Sequence, residues 1–393
     1  MKNAPSPVLI VLALWGAGLG AAGQFGKVSV VFDRFVIDYP EASPVTLGLT
    51  VSLVGFVGLI LGVAAGILAQ RLGYRRILVA ALALGAGLSA AEASLPPLAL
   101  MLPLRLAEGF SHLAIVVAAP VLIAQASSPR HMGLSMSLWS SFLAVSFALT
   151  AWLGRPLAEA QGTGALFWVH AGYMAVFAGI LWGLLPPDKA DSTPRLTLSG
   201  VLSDHFVIYA SPRMAAPALA FFSYTLVYVA LLTLLPPLIG GAHQALIATA
   251  MPLVTIAASM TLGVWLMRRF SAVAVVQAGF VGAILAGGLI WGLGGQGWPI
   301  VAAALTLAGA LGLVQGASFA AVAQLNTEAP ARARAAGAIA QMGNLGTTTG
   351  TPLLVLLLSG FGATGLLLFI AIPSLWGVAI HQILRHRRRV TPN

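Results

Sequence analysis

Charged residues and cysteine are what this chain of 393 residues has least of. Only 8% of its residues are charged and none is cysteine, whereas a soluble domain carries about 25% charged residues. The missing cysteines exclude disulfides, thiolate metal sites and cysteine nucleophiles. Apolar residues make up 59% of the chain and the mean hydropathy is +0.95. This composition indicates a membrane protein.

Long polar stretches are also missing, which excludes a separate soluble catalytic domain. A membrane span needs about 20 apolar residues, and the apolar runs predict twelve helical spans. They cover residues 7–32, 45–69, 77–95, 98–125, 133–153, 164–185, 213–239, 244–267, 271–294, 298–325, 335–358 and 362–384. Walker motifs, dinucleotide-binding glycine patterns and metal-ligand spacings are absent, so we expect neither an enzyme nor a cofactor.

The positions of lysine and arginine predict the orientation of the spans. With the N-terminus in the cytoplasm, only Arg34 and Arg155 fall in outer loops. Because basic residues stay on the cytoplasmic side, we expect an integral protein of the cytoplasmic (inner) membrane with both termini inside. The first apolar run is too long for a cleaved signal peptide. The net charge of +10 therefore indicates topology and contact with membrane lipid, and not a nucleic-acid partner.

A polar segment separates the sixth and seventh runs. We predict an N-terminal six-helix bundle at residues 1–185, a cytoplasmic linker at 186–212 and a C-terminal bundle with a basic tail at 213–393. Apolar residues at helical spacing from Leu198 onwards predict a short amphipathic helix in the linker. The halves also repeat, because residues 66–71 match 263–268 and residues 108–112 match 315–319. Such symmetry is typical of secondary transporters, whose site lies between the repeats.

The loop between the second and third runs carries a recognisable motif. It reads Gly66-Ile-Leu-Ala-Gln70-Arg71-Leu-Gly73-Tyr-Arg75-Arg76. With it the chain resembles, over essentially its whole length, the major facilitator superfamily, whose loop motif runs G-x-x-x-D-R-x-G-R-R or close to it. Arg105 and Gly109 match the second family pattern, R-x-x-x-G in span four. The resemblance implies twelve transmembrane helices in two pseudo-symmetric six-helix bundles that work by alternating access.

Two departures from the family pattern limit what the resemblance implies. Gln70 replaces the acidic residue of the loop motif, and the antiporter pattern G-x-x-x-G-P of span five is not met between Trp139 and Thr150. From the residues alone, the loop glycines allow close packing and its arginines meet headgroups and a helix C-terminus. We expect a conformational role for the loop, with a pure topology signal as the alternative.

Three polar residues recur on one face of the fourth span. Arg105, Glu108 and His112 are spaced at i, i+3 and i+7, at depths of about 10 to 20 Å. A charge there costs at least about 2.5–3.5 kcal/mol, so it requires a wet cavity or a partner. One hypothesis is that Glu108 and His112 carry protons while Arg105 anchors an anion. The alternative is a static pair of Arg105 and Glu108, with His112 as a helix contact.

Other candidates for substrate binding come from both halves. Lys27 and Gln24 share a face of the first span, where Lys27 either faces the cavity or extends to the outer interface. If Lys27 faces inward, it and Arg105 make the cavity positive and favour an anionic solute. The second half offers neutral polar side chains, although an aromatic stripe also serves packing. These candidates are Tyr224, Tyr228, Gln315, Gln341 and Asn344.

The sequence therefore predicts a secondary active transporter for a small anionic organic solute, coupled to protons. The expected partners are the small-molecule substrate, protons and membrane lipid, and we expect a monomer. An efflux permease for amphipathic or cationic compounds is the alternative. A non-transporting membrane receptor or scaffold is a third hypothesis.

Overall fold

The structure is a computed structural model that describes residues 6–128, 130–188, 198–294 and 297–390. Nearly all of these residues lie in helices and none lies in a β-strand, which confirms the predicted all-α membrane fold. The helices before the polar linker are α1 (Pro7–Ser29), α2 (Phe32–Asp38), α3 (Pro44–Leu72), α4 (Tyr74–Glu92), α5 (Leu98–Ala126), α6 (Met132–Ser140), α7 (Phe142–Leu149), α8 (Arg155–Gln161) and α9 (Thr163–Leu184). The later helices are α10 (Leu198–Ala210), α11 (Ala215–Ile239), α12 (Gln244–Ala258), α13 (Val264–Met267), α14 (Ala272–Leu293), α15 (Trp298–Leu325) and α16 (Ala329–Val390).

Most predicted spans coincide with these helices to within a few residues. Among the described residues, 10 helical segments are long and apolar enough to cross a membrane, or 11 if the bent pair Leu134–Ser140 and Phe142–Gln161 counts as one span. The last segment, α16, is interrupted at Gly362, whose φ of 55° is not helical. Glycine adopts this φ readily because it has no Cβ. The eleventh and twelfth predicted spans lie on either side of Gly362, and the exact number of twelve stays a prediction.

The fifth predicted span is bent rather than straight. Its two parts meet at Ser141 at an angle of 45°. Ser141 Oγ donates a hydrogen bond to the Leu138 backbone oxygen at 2.7 Å, and serines that bond back to the preceding turn bend helices. A π-helical turn at Thr150–Gly154 then joins α7 to α8. This turn widens the helix beside α1 and α9.

The chain divides into two compact units. The first comprises Met1–Ala42 and Leu53–Leu196, and the second comprises Ser43–Ser52 and Thr197–Asn393. The change from one unit to the other after Leu196 falls in residues 189–197, which lie outside the described residues. The predicted roles of 1–185, 186–212 and 213–393 therefore stay predictions. A helix, α10, does occupy Leu198–Ala210.

Within the first unit, α1 packs against α5, α7 and α9, and α4 packs against α5 and α9. Small residues let α1 approach closely, as is usual for helices in a membrane. A Cβ built on Gly23 would lie only 2.9 Å from His170 Cδ2 on α9. The apolar core includes the fully buried side chains of Leu14, Leu78, Ile115 and Leu181. This packing brings one end of α1 and α4 next to the first turns of α5 and α9.

Within the second unit, α11 packs against α16, and α14 packs against α15 and α16. The α14–α15 contact depends on Gly279, because a Cβ there would lie 2.8 Å from the backbone oxygen of Ala310. Large apolar side chains on the other face of α14, such as Leu285 and Leu289, are exposed. Exposed apolar residues on a span are expected to contact lipid, so the hydrophobic surface follows from the membrane environment.

Candidate functional site

Four charged side chains meet inside the first unit. They are Lys27 of α1, Glu92 of α4, and Arg105 and Glu108 of α5, and none is more than 1% exposed. Lys27 Nζ lies 2.6 Å from both Glu92 Oε2 and Glu108 Oε1. Arg105 forms an ion pair with Glu108, and its Nη1 lies 3.6 Å from Glu92 Oε2. Two cations thus face two carboxylates, and the formal charge of this four-charge cluster is zero.

The positions of the four residues in their helices explain why they meet. Lys27 is two residues from the end of α1, and Glu92 is the last residue of α4. At a rise of 1.5 Å per residue, Arg105 and Glu108 lie about 10 and 15 Å from the start of α5. Because α4 ends shortly before α5 begins, the cluster lies near one end of the unit's helices.

Hydrogen bonds extend the cluster to α9. Lys27 Nζ donates to Ser89 Oγ, and Ser89 Oγ lies 2.7 Å from Nδ1 of His170. The other ring nitrogen of His170 lies 2.9 Å from the Gly20 backbone oxygen. The imidazole therefore bridges α1 and α4. Sequence reasoning missed His170, which is a lone histidine in an apolar run.

Gln24 and His112 lie at the border of the cluster. The backbone oxygen of Gln24 accepts a hydrogen bond from Arg105 Nη2 at 2.5 Å, and its side-chain amide donates to Ser111 Oγ at 2.9 Å. His112 Nδ1 lies 3.0 Å from the Ala21 backbone oxygen. Its contact is thus with α1, and the histidine that reaches the cluster in the described part of the chain is His170.

Lys27 faces inward, but the expected positive cavity is not what the structure shows. The expectation counted Lys27 and Arg105 without Glu92. With Glu92 included, each cation lies beside a carboxylate, and the excess positive charge disappears. Glu92 was missed because it ends the third span, where a carboxylate is usually a boundary residue. Its only signal in the sequence is its place inside the apolar run 77–95.

A cavity of about 260 Å³ lies beside the cluster, between α1, the segment from α7 to α8, and α9. Lys27 and His170 contribute to its lining, which is otherwise mostly apolar. Two of the lining residues, Leu153 and Val169, are 57% and 58% exposed. The cavity, called the lateral groove below, therefore lies next to an exposed apolar surface of the first unit.

The loop motif joins α3 to α4. Gly66, Gln70 and Arg71 belong to α3, Gly73 has a φ of 91° between the helices, and Arg75 and Arg76 begin α4. The guanidinium of Arg75 donates to the Trp182 backbone oxygen at 2.6 Å and lies 4.2 Å from the centre of the indole ring. Trp182 is in the last turn of α9. Arg75 thus ties the loop to the C-terminal end of that helix, where a cation is favourable.

A carboxylate outside the motif completes the loop. Asp188 accepts hydrogen bonds from the backbone nitrogens of Arg75 at 2.9 Å and Arg76 at 3.1 Å. It therefore caps the first turn of α4, whose free N–H groups need acceptors. Gln70 lacks the negative charge of the family motif. Asp188, which follows Arg76 by 112 residues, brings a negative charge to the loop instead. No local pattern in the sequence points to Asp188.

The predicted residues of the second unit lie on three helices, α11, α15 and α16. The rings of Tyr224 and Tyr228 are stacked on α11 with centroids 5.1 Å apart, and both are at most 2% exposed. The Gln341 amide is held by α10, because its Oε1 accepts from Tyr209 at 2.9 Å and its Nε2 lies 2.8 Å from His205 Nε2.

The remaining two candidates are less buried. Gln315 is half-buried on α15. Asn344 is half-buried on α16, and its side chain donates to the Ala340 backbone oxygen at 2.9 Å.

The chemistry available to the four-charge cluster is ionic. Its carboxylates can take up protons, and its cations can bind an anion once a carboxylate is neutralised. The described residues contain no group of three or more His, Asp or Glu side chains that could hold a metal ion.

Comparisons with known proteins agree with the fold. A family model described as Major Facilitator Superfamily matches residues 6–245. A search of curated protein sequences found no significant match. Among solved structures, a bacterial homologue of the human lysosomal transporter Spinster, inward-facing and occupied, has a TM-score of 0.76 at 14% identity and covers 99% of this chain and 98% of that chain.

Two further solved structures give similar values. The Spinster homologue in an inward-facing and unoccupied conformation has a TM-score of 0.73 at 13% identity, with 100% of both chains covered. A point mutant of the nucleoside transporter NupG has a TM-score of 0.73 at 14% identity, with 96% of this chain and 99% of that chain covered. At such identities the likeness shows the fold alone.

Proposed function

The chain belongs to the major facilitator superfamily, and we propose that it is a proton-coupled secondary transporter of a small anionic organic solute. Membership of a transporter family and the long apolar helices make it an integral membrane protein. The proposal also includes alternating access, a monomeric state, placement in the cytoplasmic membrane and both termini inside the cell.

The observation that supports this proposal is the burial of two cations and two carboxylates in one cluster. Buried ion pairs rarely stabilise more than well-packed apolar residues of the same volume would. Their retention in an apolar unit therefore supports a role beyond packing. A proton taken up by a carboxylate would leave a cation with less compensation, and an anion would restore the balance. Proton uptake and anion binding would thereby favour each other.

The lateral groove favours a second candidate function. Its lining is mostly apolar and includes the exposed Leu153 and Val169. An amphipathic compound dissolved in the bilayer would reach such a groove directly. Efflux of amphipathic or cationic compounds is therefore the alternative.

A ligand screen separates the two functions. A ligand that binds only the folded protein raises its apparent unfolding temperature. We expect small carboxylates to stabilise the detergent-purified protein, more at mildly acidic than at mildly alkaline pH, and the shift to disappear in Arg105→Ala. Sugars, other small anions and lipophilic cations complete the panel. Stabilisation by lipophilic compounds alone would instead support efflux and contradict an anionic substrate.

Flux measurements then test the coupling. In proteoliposomes with an inward pH gradient, the stabilising anion should accumulate above its equilibrium level. Exchange of labelled for unlabelled anion at equal pH should continue without the gradient. Absence of exchange with every ligand that binds would indicate a receptor or scaffold instead.

A further inference from the structure

The two carboxylates of the four-charge cluster are held unequally. Both oxygens of Glu108 accept hydrogen bonds, Oε1 from Lys27 at 2.6 Å and Oε2 from Arg105. Glu92 accepts on Oε2 from Lys27 at 2.6 Å. Its other oxygen, Oε1, is buried and has no hydrogen-bond partner among the described residues. One carboxylate is therefore saturated and the other has a free buried oxygen.

This difference determines where a proton binds most easily. Hydrogen bonds to the charged form of a carboxyl favour that form. A proton on either oxygen of Glu108 would displace a cationic donor from that oxygen, whereas a proton on Glu92 Oε1 leaves the contact of Oε2 with Lys27 in place. It also removes charge from an oxygen whose burial without a partner is costly. The geometry thus favours Glu92 Oε1 as the acceptor.

Glu92 lies at the end of its helix, whereas Glu108 lies inside α5. It ends α4, and two residues later Ser94 is exposed. The hydroxyl of Tyr39 donates to the Pro96 backbone oxygen at 2.8 Å. Burial, Asp38 and Glu92 together raise the pKa of Tyr39 to about 12, so its phenol remains neutral beside this turn.

The charged and titratable groups that act on Glu92 come from every neighbouring element. They are Lys27 from α1, Tyr39 after α2, Arg105 and Glu108 from α5, and His170 from α9. Lys27 and Arg105 each carry a formal positive charge, and Glu108 carries a formal negative charge. When Glu92 is neutral, the cluster keeps two positive charges and one negative charge.

We propose that Glu92 is the proton acceptor of this transporter, and that its protonated state binds a monovalent anion. The inference rests on the proposed function and names its proton site and substrate class. Protonation raises the formal charge of the cluster from zero to plus one, and one monovalent anion returns it to zero. Proton and anion thus cross together without net charge. The proposal assigns the proton to Glu92 and not to Glu108, in contrast to the role that the sequence predicts for Glu108.

Infrared spectroscopy of the purified protein tests the assignment without a ligand. On acidification, the wild-type protein should gain the C=O stretch of one protonated carboxyl shielded from water. The band should be lost in Glu92→Gln, shifted in Glu92→Asp, and kept in Glu108→Gln and in the exposed control Glu41→Gln. If Glu92→Gln fails to fold, the single variants Glu92→Gln and Glu108→Gln are replaced by charge-balanced double variants. These are Lys27→Met/Glu92→Gln and Lys27→Met/Glu108→Gln.

The outcomes separate this inference from the proposed function. A band that persists in Glu92→Gln, or that disappears in Glu108→Gln, overturns the assignment. A wild-type protein that gains no such band on acidification overturns it as well. In each case, anion-dependent stabilisation and exchange test the transport function independently. We expect the band to be lost in Glu92→Gln. We also expect the wild-type protein to transport a monovalent anion at a rate that does not respond to membrane voltage.

Discussion

Replacing Lys27 by methionine tests whether charge balance holds the four-charge cluster together. Lys27 bridges Glu92 and Glu108 at 2.6 Å each, so the substitution changes the formal charge of the cluster from zero to minus one. Removing one partner of a buried ion pair costs about 3–5 kcal/mol. Methionine has a similar length and retains the packing, so the loss reflects charge. We expect the apparent unfolding temperature to fall by several degrees.

A second substitution should recover part of this loss. In Lys27→Met/Glu92→Gln, Arg105 faces Glu108 alone and the formal charge is zero again. Residues in contact couple by about 0.5–3 kcal/mol, and we expect recovery of that order relative to Lys27→Met. The matched control is Lys27→Met/Glu41→Gln, since Glu41 is exposed and its removal should recover nothing.

The measurement is thermal unfolding of the detergent-purified variants, followed by the fluorescence of the nine tryptophans. Acidification should also reduce the difference between Lys27→Met and the wild type, because Glu92 can then take up a proton. The reasoning is refuted if Lys27→Met unfolds at the wild-type temperature, or if both double variants recover equally.

Three further predictions concern other parts of the chain. Gly279→Ala should lower stability by about 1–3 kcal/mol through overpacking, whereas Gly288→Ala, with open space around its Cβ, should not; unfolding temperatures compare the two. Asp188→Ala should cost about 0.5–2 kcal/mol as a lost helix cap, and Asp188→Asn should cost less; an equal loss would contradict the capping role. Because the folded chain raises the pKa of Tyr39 from 10.0 to about 12, the unfolded chain loses this proton first. Stability should therefore fall as pH rises between these values, and Tyr39→Phe should reduce the fall.

The spans were predictable from the sequence because hydropathy over about 20 residues depends on the membrane and not on tertiary contacts. The bend at Ser141 and the continuation of the fifth span to Gln161 were not, since Arg155 looks like a loop residue. In the structure Arg155 pairs with Asp33 at 2.8 Å and with Glu159 at 2.9 Å. The short helix α2 was not predicted, because its 7 residues are too few to show a helical period in the sequence.

The candidate site was predictable one helix at a time. Arg105 and Glu108 stand three residues apart on one helix, so their contact follows from helical geometry. Lys27 reaches them only because α1 packs against α5, and the sequence does not specify which helix faces which. Glu92 and His170 belong to helices whose neighbours had to be seen first. Residues that act across helices are thus the part that sequence reasoning misses.

The location of the charges near helix ends has a consequence for how the protein enters the membrane. A helix that inserts alone with an unpaired charge at its centre bears the full penalty. Lys27 and Glu92 lie at the ends of α1 and α4, where a side chain can extend to the headgroups and stay hydrated. The helices α1 and α4 can therefore each insert into the membrane before the partner helix has inserted. The cluster then dehydrates only when α1, α4 and α5 come together, so its formation marks the completion of assembly.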